Sequence, residues 1–295
     1  MSTAIPRSAD PAAPSVPESI AGERLFGVFE AIGGLDLPAT TAGGLYEGFH
    51  AGFYDLITGD DAYDVPAYLA HAAKYGGPVL ELACGSGRVT VPLAQAGYDV
   101  TAVDLAPDML RALRRRLLDE PRDVALRVTP VLGDLRELAL HAPHRLAIIG
   151  AVSICLIREH ADRVRAFKSI RQALEADGRL CFDFLATNEI ALRAQDDQIA
   201  CVPALGPRSK RFTLMGRRWV PEENLQIVNF YSEDVDALGR THRYVSSTQK
   251  AIVTEEELRS QLDEAGFAVE SVTESARLGE GAAAETIRLL VCCRA

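Results

Sequence analysis

The sequence predicts an α/β fold in which a mostly parallel sheet, covered by helices on both faces, carries an inserted antiparallel flap. Three observations lead there. Between residues 78 and 185, apolar runs of strand length alternate with helix-length segments, the order that builds right-handed strand–helix–strand units. Beyond residue 210 three strand-like runs follow one another through short turns, which implies antiparallel pairing. The first strand of the alternating region breaks into Glu81-Leu-Ala-Cys-Gly85-Ser-Gly87, a glycine turn that opens a helix. Glycines there let the backbone turn sharply and leave amides open to a ligand, and the helix start favours an anionic group.

Taken in order, residues 1–21 hold Pro6, Pro11, Pro14 and Pro17 among alanine and serine, and are expected to form a disordered tail. Residues 22–76 are expected to form a helical cap. It starts with an amphipathic helix from Glu23 to Ile32, closed by Gly33-Gly34, and continues with Tyr46, Phe49, Phe53, Tyr54, Tyr63 and Tyr68. Most of these rings are expected to pack on the sheet, with one or two tyrosines closing over the ligand. Residues 77–295 form the main domain, with the flap at about 208–253. After the glycine turn come a strand at Tyr98–Asp104 and a helix at Pro107–Leu118, with proline in its first turn. A strand at Val124–Leu132 ends in Gly133-Asp134, and the nearly continuous apolar run Leu146–Val152 suits a central parallel strand. A helix at His160–Leu174 and a turn at Asp177-Gly178 lead to a strand at Arg179–Leu185. The flap strands are Arg211–Val220, Leu225–Asp234 and Arg240–Val253. Thr254-Glu-Glu-Glu257 is a capping box whose helix stops at Gly266, and strands at Phe267–Val272 and Thr286–Cys293 finish the chain.

At 295 residues the chain suits one large domain or one domain with an elaborated subdomain. A net charge of −10 without a Lys/Arg-rich block argues against nucleic acid as a partner. No run approaches the roughly 20 apolar residues of a membrane span, and the first residues lack the pattern of a secretory signal. Six cysteines, mostly in apolar strand-like runs, show no C-x-x-C and no histidine at metal spacing. They are therefore expected to be buried core residues in a reducing cytoplasm, with no metal site.

A dinucleotide fingerprint needs a third glycine where Thr90 stands, and a P-loop needs a Gly-Lys-Ser/Thr that is missing. Asp104 ends the second strand, 17 positions after Gly87, where a carboxylate can take both ribose hydroxyls of an NAD or adenosyl cofactor. Asp134 ends the third strand on the same sheet edge, within reach of an adenine amine. These residues resemble the class I S-adenosylmethionine-dependent methyltransferases: Glu81 to Gly87 is similar to the family's first motif, Asp104 to its ribose acid, and Gly133-Asp134 to its adenine-side motif. The resemblance covers roughly residues 55–294. It implies a Rossmann-like, doubly wound, seven-stranded sheet whose last strand inserts antiparallel, with S-adenosyl-L-methionine as cofactor. It also implies a binding set of Tyr54, Glu81, Ala83, Gly85, Gly87, Arg88, Asp104, Leu105, Asp134, Leu135 and Ala151. Two positions depart from the family: Ala83 stands where glycine is usual, and Ala106 where a helix-capping serine is frequent, a loss of about 1 kcal/mol.

Methyl transfer is an in-line displacement, so the protein chiefly has to align its reactants. A tyrosine face such as Tyr54 or Tyr63 would help hold the cationic sulfonium. The cap and flap resemble those of small-molecule N-methyltransferases, a group acting on amino sugars, glycine-type amines and the N-termini of ribosomal peptides. The acceptor is thus expected to be the amine of a small molecule or peptide, in natural-product biosynthesis. An amine must be neutral to attack, which a desolvated pocket can arrange, whereas a hydroxyl needs a base. Candidate catalytic residues are Asp183, His242 and Tyr54, with Ser153, Cys155, Phe184, His50 and His160 also near strand ends, cap or flap. The alternatives are O- or C-methylation of an aromatic natural product, an NAD-dependent oxidoreductase, and a non-catalytic cofactor-binding protein. A homodimer is left open.

Overall fold

A computed structural model of the protein describes residues 24–35, 37–48, 51, 54, 64–140, 142–186, 197–202, 211–236, 238–278 and 286–295. The expected tail at 1–21, and Phe49, His50, Phe53 and Tyr63 of the expected cap, lie outside them. Among the described residues no helix is long and apolar enough to cross a membrane.

The main sheet has seven strands: β2 (Val79–Leu82), β3 (Val100–Asp104), β4 (Val128–Leu132), β5 (His144–Ile149), β6 (Leu174–Ala186), β11 (Ala268–Leu278) and β12 (Thr286–Arg294). Their order is β11-β12-β6-β5-β2-β3-β4, and β2 to β6 pair in parallel. The last strand, β12, lies antiparallel between β6 and β11, as the resemblance implies. All four residues of β2 are buried, and five of the six in β5, because helices cover both faces. Leu80, Leu82, Ile149 and Phe182 pack beneath α6 (His160–Gln172) and α7 (Glu255–Glu264). Val79, Ala102, Ile148 and Cys181 pack beneath α2 (Val65–Tyr75), α3 (Thr90–Gln95) and α4 (Pro107–Leu118). The capping box forms in full: Glu257 N donates to Thr254 Oγ1 at 3.1 Å, and Thr254 N donates to Glu257 Oε2 at 3.0 Å.

Several boundaries move, among them the end of β11, which runs to Leu278 rather than Val272. The strand expected from Val124 begins at Val128, because Pro121 starts a single helical turn, α5 (Arg122–Ala125), ahead of it. Pairing of β6 already begins at Leu174, opposite His144, and the intervening residues up to Arg179 form an irregularity in the ladder.

The cap differs more. It is not purely helical: β1 (Thr40–Gly44) pairs in parallel with β10 (Thr241–Ala251). The flap is therefore a five-stranded sheet in the order β1-β10-β9-β8-β7, where β7 is Gln198–Val202, β8 Arg211–Val220 and β9 Leu225–Val235. Thr40-Thr-Ala-Gly-Gly44 has no apolar alternation, so nothing local marks it as a strand. The first helix, α1 (Val28–Gly33), starts only after Gly27 at φ 54°. The residues before it are held to β9 instead: Phe26 N donates to Asn229 Oδ1 at 3.1 Å, and Asn229 Nδ2 donates to the Arg24 carbonyl at 2.9 Å.

One flap face packs Ile227, Tyr231 and Val245 against Phe26 and Phe29, and the other sets Val228 and Phe230 against Leu45, with Tyr46 and Tyr54 alongside. Gly216 makes the first contact fit, since a Cβ there would lie 2.2 Å from a Phe29 ring carbon. Gly216→Ala is expected to lower stability by about 1–3 kcal/mol through overpacking. Urea unfolding checks this, and Phe29→Leu in the same chain should return part of the loss.

Candidate functional site

At the C-terminal ends of β2 to β5 the chain turns sharply around a cavity of about 570 Å³, a size ordinary for a small-molecule site. Its floor is the turn after β2. Ala83, Gly85 and Gly87 all have positive φ, at 52°, 57° and 90°. The two glycines do different work. A Cβ on Gly85 would have no neighbour within 4 Å, so its missing side chain leaves the turn open to the cavity. A Cβ on Gly87 would sit 2.4 Å from Leu113 Cδ1, so this glycine lets the turn seat against α4. Ala83 carries the strain that glycine would escape, about 1 kcal/mol or slightly more.

Asp104 is 8% exposed and accepts backbone amides: Oδ2 from Gly85 and Oδ1 from Ala106, both at 2.8 Å, with the Leu105 amide as a third donor. The second of these bonds serves the helix start that Ala106 cannot cap. The carboxylate's roughly four acceptor sites leave room for a hydroxyl donor. Burial raises the Asp104 carboxyl above its usual range, and the amide bonds oppose the rise. Glu81 is 3% exposed and accepts from the Thr90 hydroxyl; burial pushes it up to about 8.

Behind the floor lies a buried polar group. Arg88 and Asp64 form a two-pronged ion pair, with Nη2 to Oδ2 at 2.8 Å and Nη1 on Oδ1. Asp64 Oδ2 also accepts the Ala151 amide at 3.4 Å. Asp183 Oδ1 accepts the Val152 amide and the Tyr68 hydroxyl, each at 3.0 Å, and burial raises its carboxyl to about 6. The two amides so held belong to residues in the left-handed region, Ala151 at φ 56° and Val152 at φ 60°. A β-branched residue is rarely found there.

The remaining wall is aromatic on one side and charged on another. The Tyr46 and Tyr54 rings lie 5.6 Å apart, and the Tyr46 hydroxyl is bonded to Thr248 of β10. Asp134 is clamped by Arg136, whose Nε lies 3.0 Å from both carboxylate oxygens and whose Nη1 reaches Asp162 at 3.0 Å. The Arg136 hydrogen bonds hold the Asp134 carboxyl below its usual range.

Of the residues expected to bind a cofactor, Tyr54, Glu81, Ala83, Gly85, Arg88, Asp104, Leu105, Asp134, Leu135 and Ala151 all line the cavity, and Gly87 supports it from behind. The catalytic candidates fare differently. Tyr54 and Ser153 line the cavity, but Asp183, 1% exposed, lies beneath the wall and holds the Val152 turn. His242 bonds Asp236 at 3.2 Å near the β9–β10 turn, six residues along β10 from the cavity-lining Thr248. Cys155 and Phe184 are core residues, and His160 faces Gln261 of α7. His50 and Tyr63 lie outside the described residues. Sequence reasoning did not single out Tyr46, Arg136 or the Arg158–Gln249 contact that closes the flap side. Tyr46 had only its place in an aromatic stretch to signal it.

Residues 79–178 match the family model described as a methyltransferase domain. YqeM of Bacillus subtilis, named as a methyltransferase, is 23% identical over 231 residues, covering 78% of this chain and 89% of that protein. The CcbJ methyltransferase of Streptomyces caelestis superimposes with a TM-score of 0.66 at 22% identity, over 83% of this chain and 95% of CcbJ. The glycopeptide N-methyltransferase MtfA, solved with S-adenosyl-L-methionine, is 28% identical with a TM-score of 0.52, over 79% of this chain and 92% of MtfA.

The buried Glu81 makes stability depend on pH in a stated direction. Its carboxyl binds a proton more tightly in the folded chain than in the unfolded one, so its contribution is full below about pH 4.5 and is lost as pH rises towards about 8. Urea unfolding at several pH values should show wild type losing about 1–4 kcal/mol relative to Glu81→Gln across that window. Parallel profiles for the two proteins would contradict the burial of this acid.

Proposed function

We infer that this chain, a class I S-adenosylmethionine-dependent methyltransferase, methylates the amine of a small molecule or peptide. The cavity suits the cofactor. The open side of Gly85 admits a carboxylate to the turn amides, and Asp104 keeps acceptor capacity for a ribose hydroxyl. Leu105 and Leu135 offer apolar surface to a base, and the faces of Tyr46 and Tyr54 suit a sulfonium. Glu81, Ala83, Arg88, Asp134 and Ala151 complete the proposed set. When bound, the cofactor supplies a methyl carbon made electrophilic by the adjoining sulfonium. The chain's own contribution is alignment and exclusion of water.

One observation carries the choice of an amine. Among the described residues that line the cavity there is no histidine; of the bases expected from sequence, Asp183, His160 and His242 face elsewhere, and His50 lies outside the described residues. The lining carboxylates of Asp104, Asp134 and Asp162 are tied to backbone amides or Arg136, Glu81 is tied to Thr90, and the remaining two, Glu47 and Glu159, belong to exposed residues. A wall whose carboxylates are either tied or open to water suits a nucleophile that needs only desolvation, which lowers the pKa of an amine. The likeness to MtfA supports the same reading.

Incubation with methyl-labelled cofactor and a panel of amino sugars, peptides and phenols, read by mass spectrometry, tests the choice. Label on nitrogen is expected; transfer to phenols with every amine untouched would overturn it. Asp104→Asn should weaken cofactor binding by about 10- to 100-fold in calorimetry, the effect of losing a charged hydrogen-bond acceptor.

A further inference from the structure

On the face of the main sheet beneath α2, three ligand-bearing side chains meet that are far apart in sequence. Cys181 of β6 and Cys292 of β12 occupy directly paired positions on neighbouring antiparallel strands. Their Sγ atoms lie 3.3 Å apart, and both residues are buried. His71, on the face of α2 turned towards them, brings a ring nitrogen so that all three ligand atoms lie within 4.8 Å of one another. The Tyr75 ring stacks on that imidazole at 5.8 Å and 4°, which fixes its orientation, and the Tyr75 hydroxyl is 3.5 Å from Cys292 Sγ. His71 and Tyr75 are only partly buried, so the cluster opens towards solvent on that side.

We propose that Cys181, Cys292 and His71 bind a zinc ion, with the Tyr75 hydroxyl or a water in the fourth position. Two sulfurs and an imidazole are the donor set that zinc prefers, and no hard-cation site is built this way. Zinc–sulfur bonds of about 2.3 Å at a tetrahedral angle place two thiolates about 3.8 Å apart, so small side-chain rotations suffice. On binding, each cysteine loses its thiol proton to solvent and the ion sheds water ligands. The two thiolates then balance the dication beside a neutral imidazole. Plain core packing accounts for two buried cysteines, but not for an imidazole gathered onto the same point.

The ion would also reach the cavity indirectly. On β6, Cys181 is two residues from Asp183, and on α2, His71 is one turn from Tyr68, the residue bonded to Asp183. Pinning the end of α2 to β6 and β12 thus fixes the axial position of the helix that places Tyr68 and Asp64.

Metal analysis of protein purified without chelator and dialysed tests the proposal. About one zinc per chain is expected in wild type and in Cys201→Ser, whose cysteine is exposed and remote from the cluster, and near zero in Cys292→Ser and His71→Ala. Because those variants could unfold, cobalt(II) added to metal-free wild type gives a second reading. A thiolate-to-cobalt charge-transfer band with tetrahedral d–d bands is expected. Absence of those bands, equal zinc in wild type and folded variants, or a Cys181–Cys292 disulfide in place of metal would overturn it.

Discussion

The cavity depends on one buried ion pair. Asp64, 3% exposed at the start of α2, meets Arg88, which lies just past the glycine turn. Either charge alone in that place would cost several kcal/mol, so each residue makes the other obligatory. Because Asp64 also accepts the Ala151 amide, the pair joins three pieces of chain: the start of α2, the turn after β2 and the turn after β5. Asp183 repeats the device one residue further on, with the Val152 amide and the Tyr68 hydroxyl. The floor therefore behaves as one polar unit set into apolar packing.

That unit explains where the backbone is strained. Ala83, Ala151 and Val152 sit in the left-handed region, each at a cost of about 1–3 kcal/mol, and all three are at strand ends facing the cavity or next to one that does. Such conformations persist only where the surroundings over-determine them. Here each amide after β5 is held by a carboxylate that is itself held by another group. Gly150 shows how closely the parts fit: a Cβ there would lie within 3.4–3.6 Å of Tyr68, Asp64 and Arg88 together.

The parts legible from sequence were those whose meaning is local. An apolar strand, a turn and an acid at its end place Asp104 and Asp134 on the sheet edge whatever the rest of the chain does. Contacts between distant segments left no such mark. The strand Thr40–Gly44 has no alternation to read, and nothing near His71 announces Cys181 or Cys292. Asp183, expected at a strand end, lies inside β6, which runs on to Ala186, and β6 is buried on both faces there, so no polar alternation tells which way a residue points. Phe182 and Phe184 face one layer, while Cys181 faces α2, as Asp183 does through Tyr68. His242 fails for a simpler reason: six residues along a strand is about 20 Å, more than half the length of β10.

The two ends of the cavity differ in how firmly they are built. The glycine turn and the strand ends are fixed by buried charge and backbone bonds, each expensive to break. The flap side meets the core through Ala251 and Val253, which are buried in the main-sheet cluster, and at its rim through Arg158 Nη1 donating to Gln249 Oε1 at 2.8 Å, an exposed contact worth about 1 kcal/mol. Within the flap, however, β10 is paired along its length with β9 and, through residues 243–247, with β1, so Thr248 and Gln249 move only with the sheet. A rigid cofactor floor opposite a stiff flap holds one reactant constant and lets acceptor choice follow from the flap's inner surface. Differences between related chains in what they methylate should then concentrate in β8 to β10 rather than in the turns that hold the cofactor.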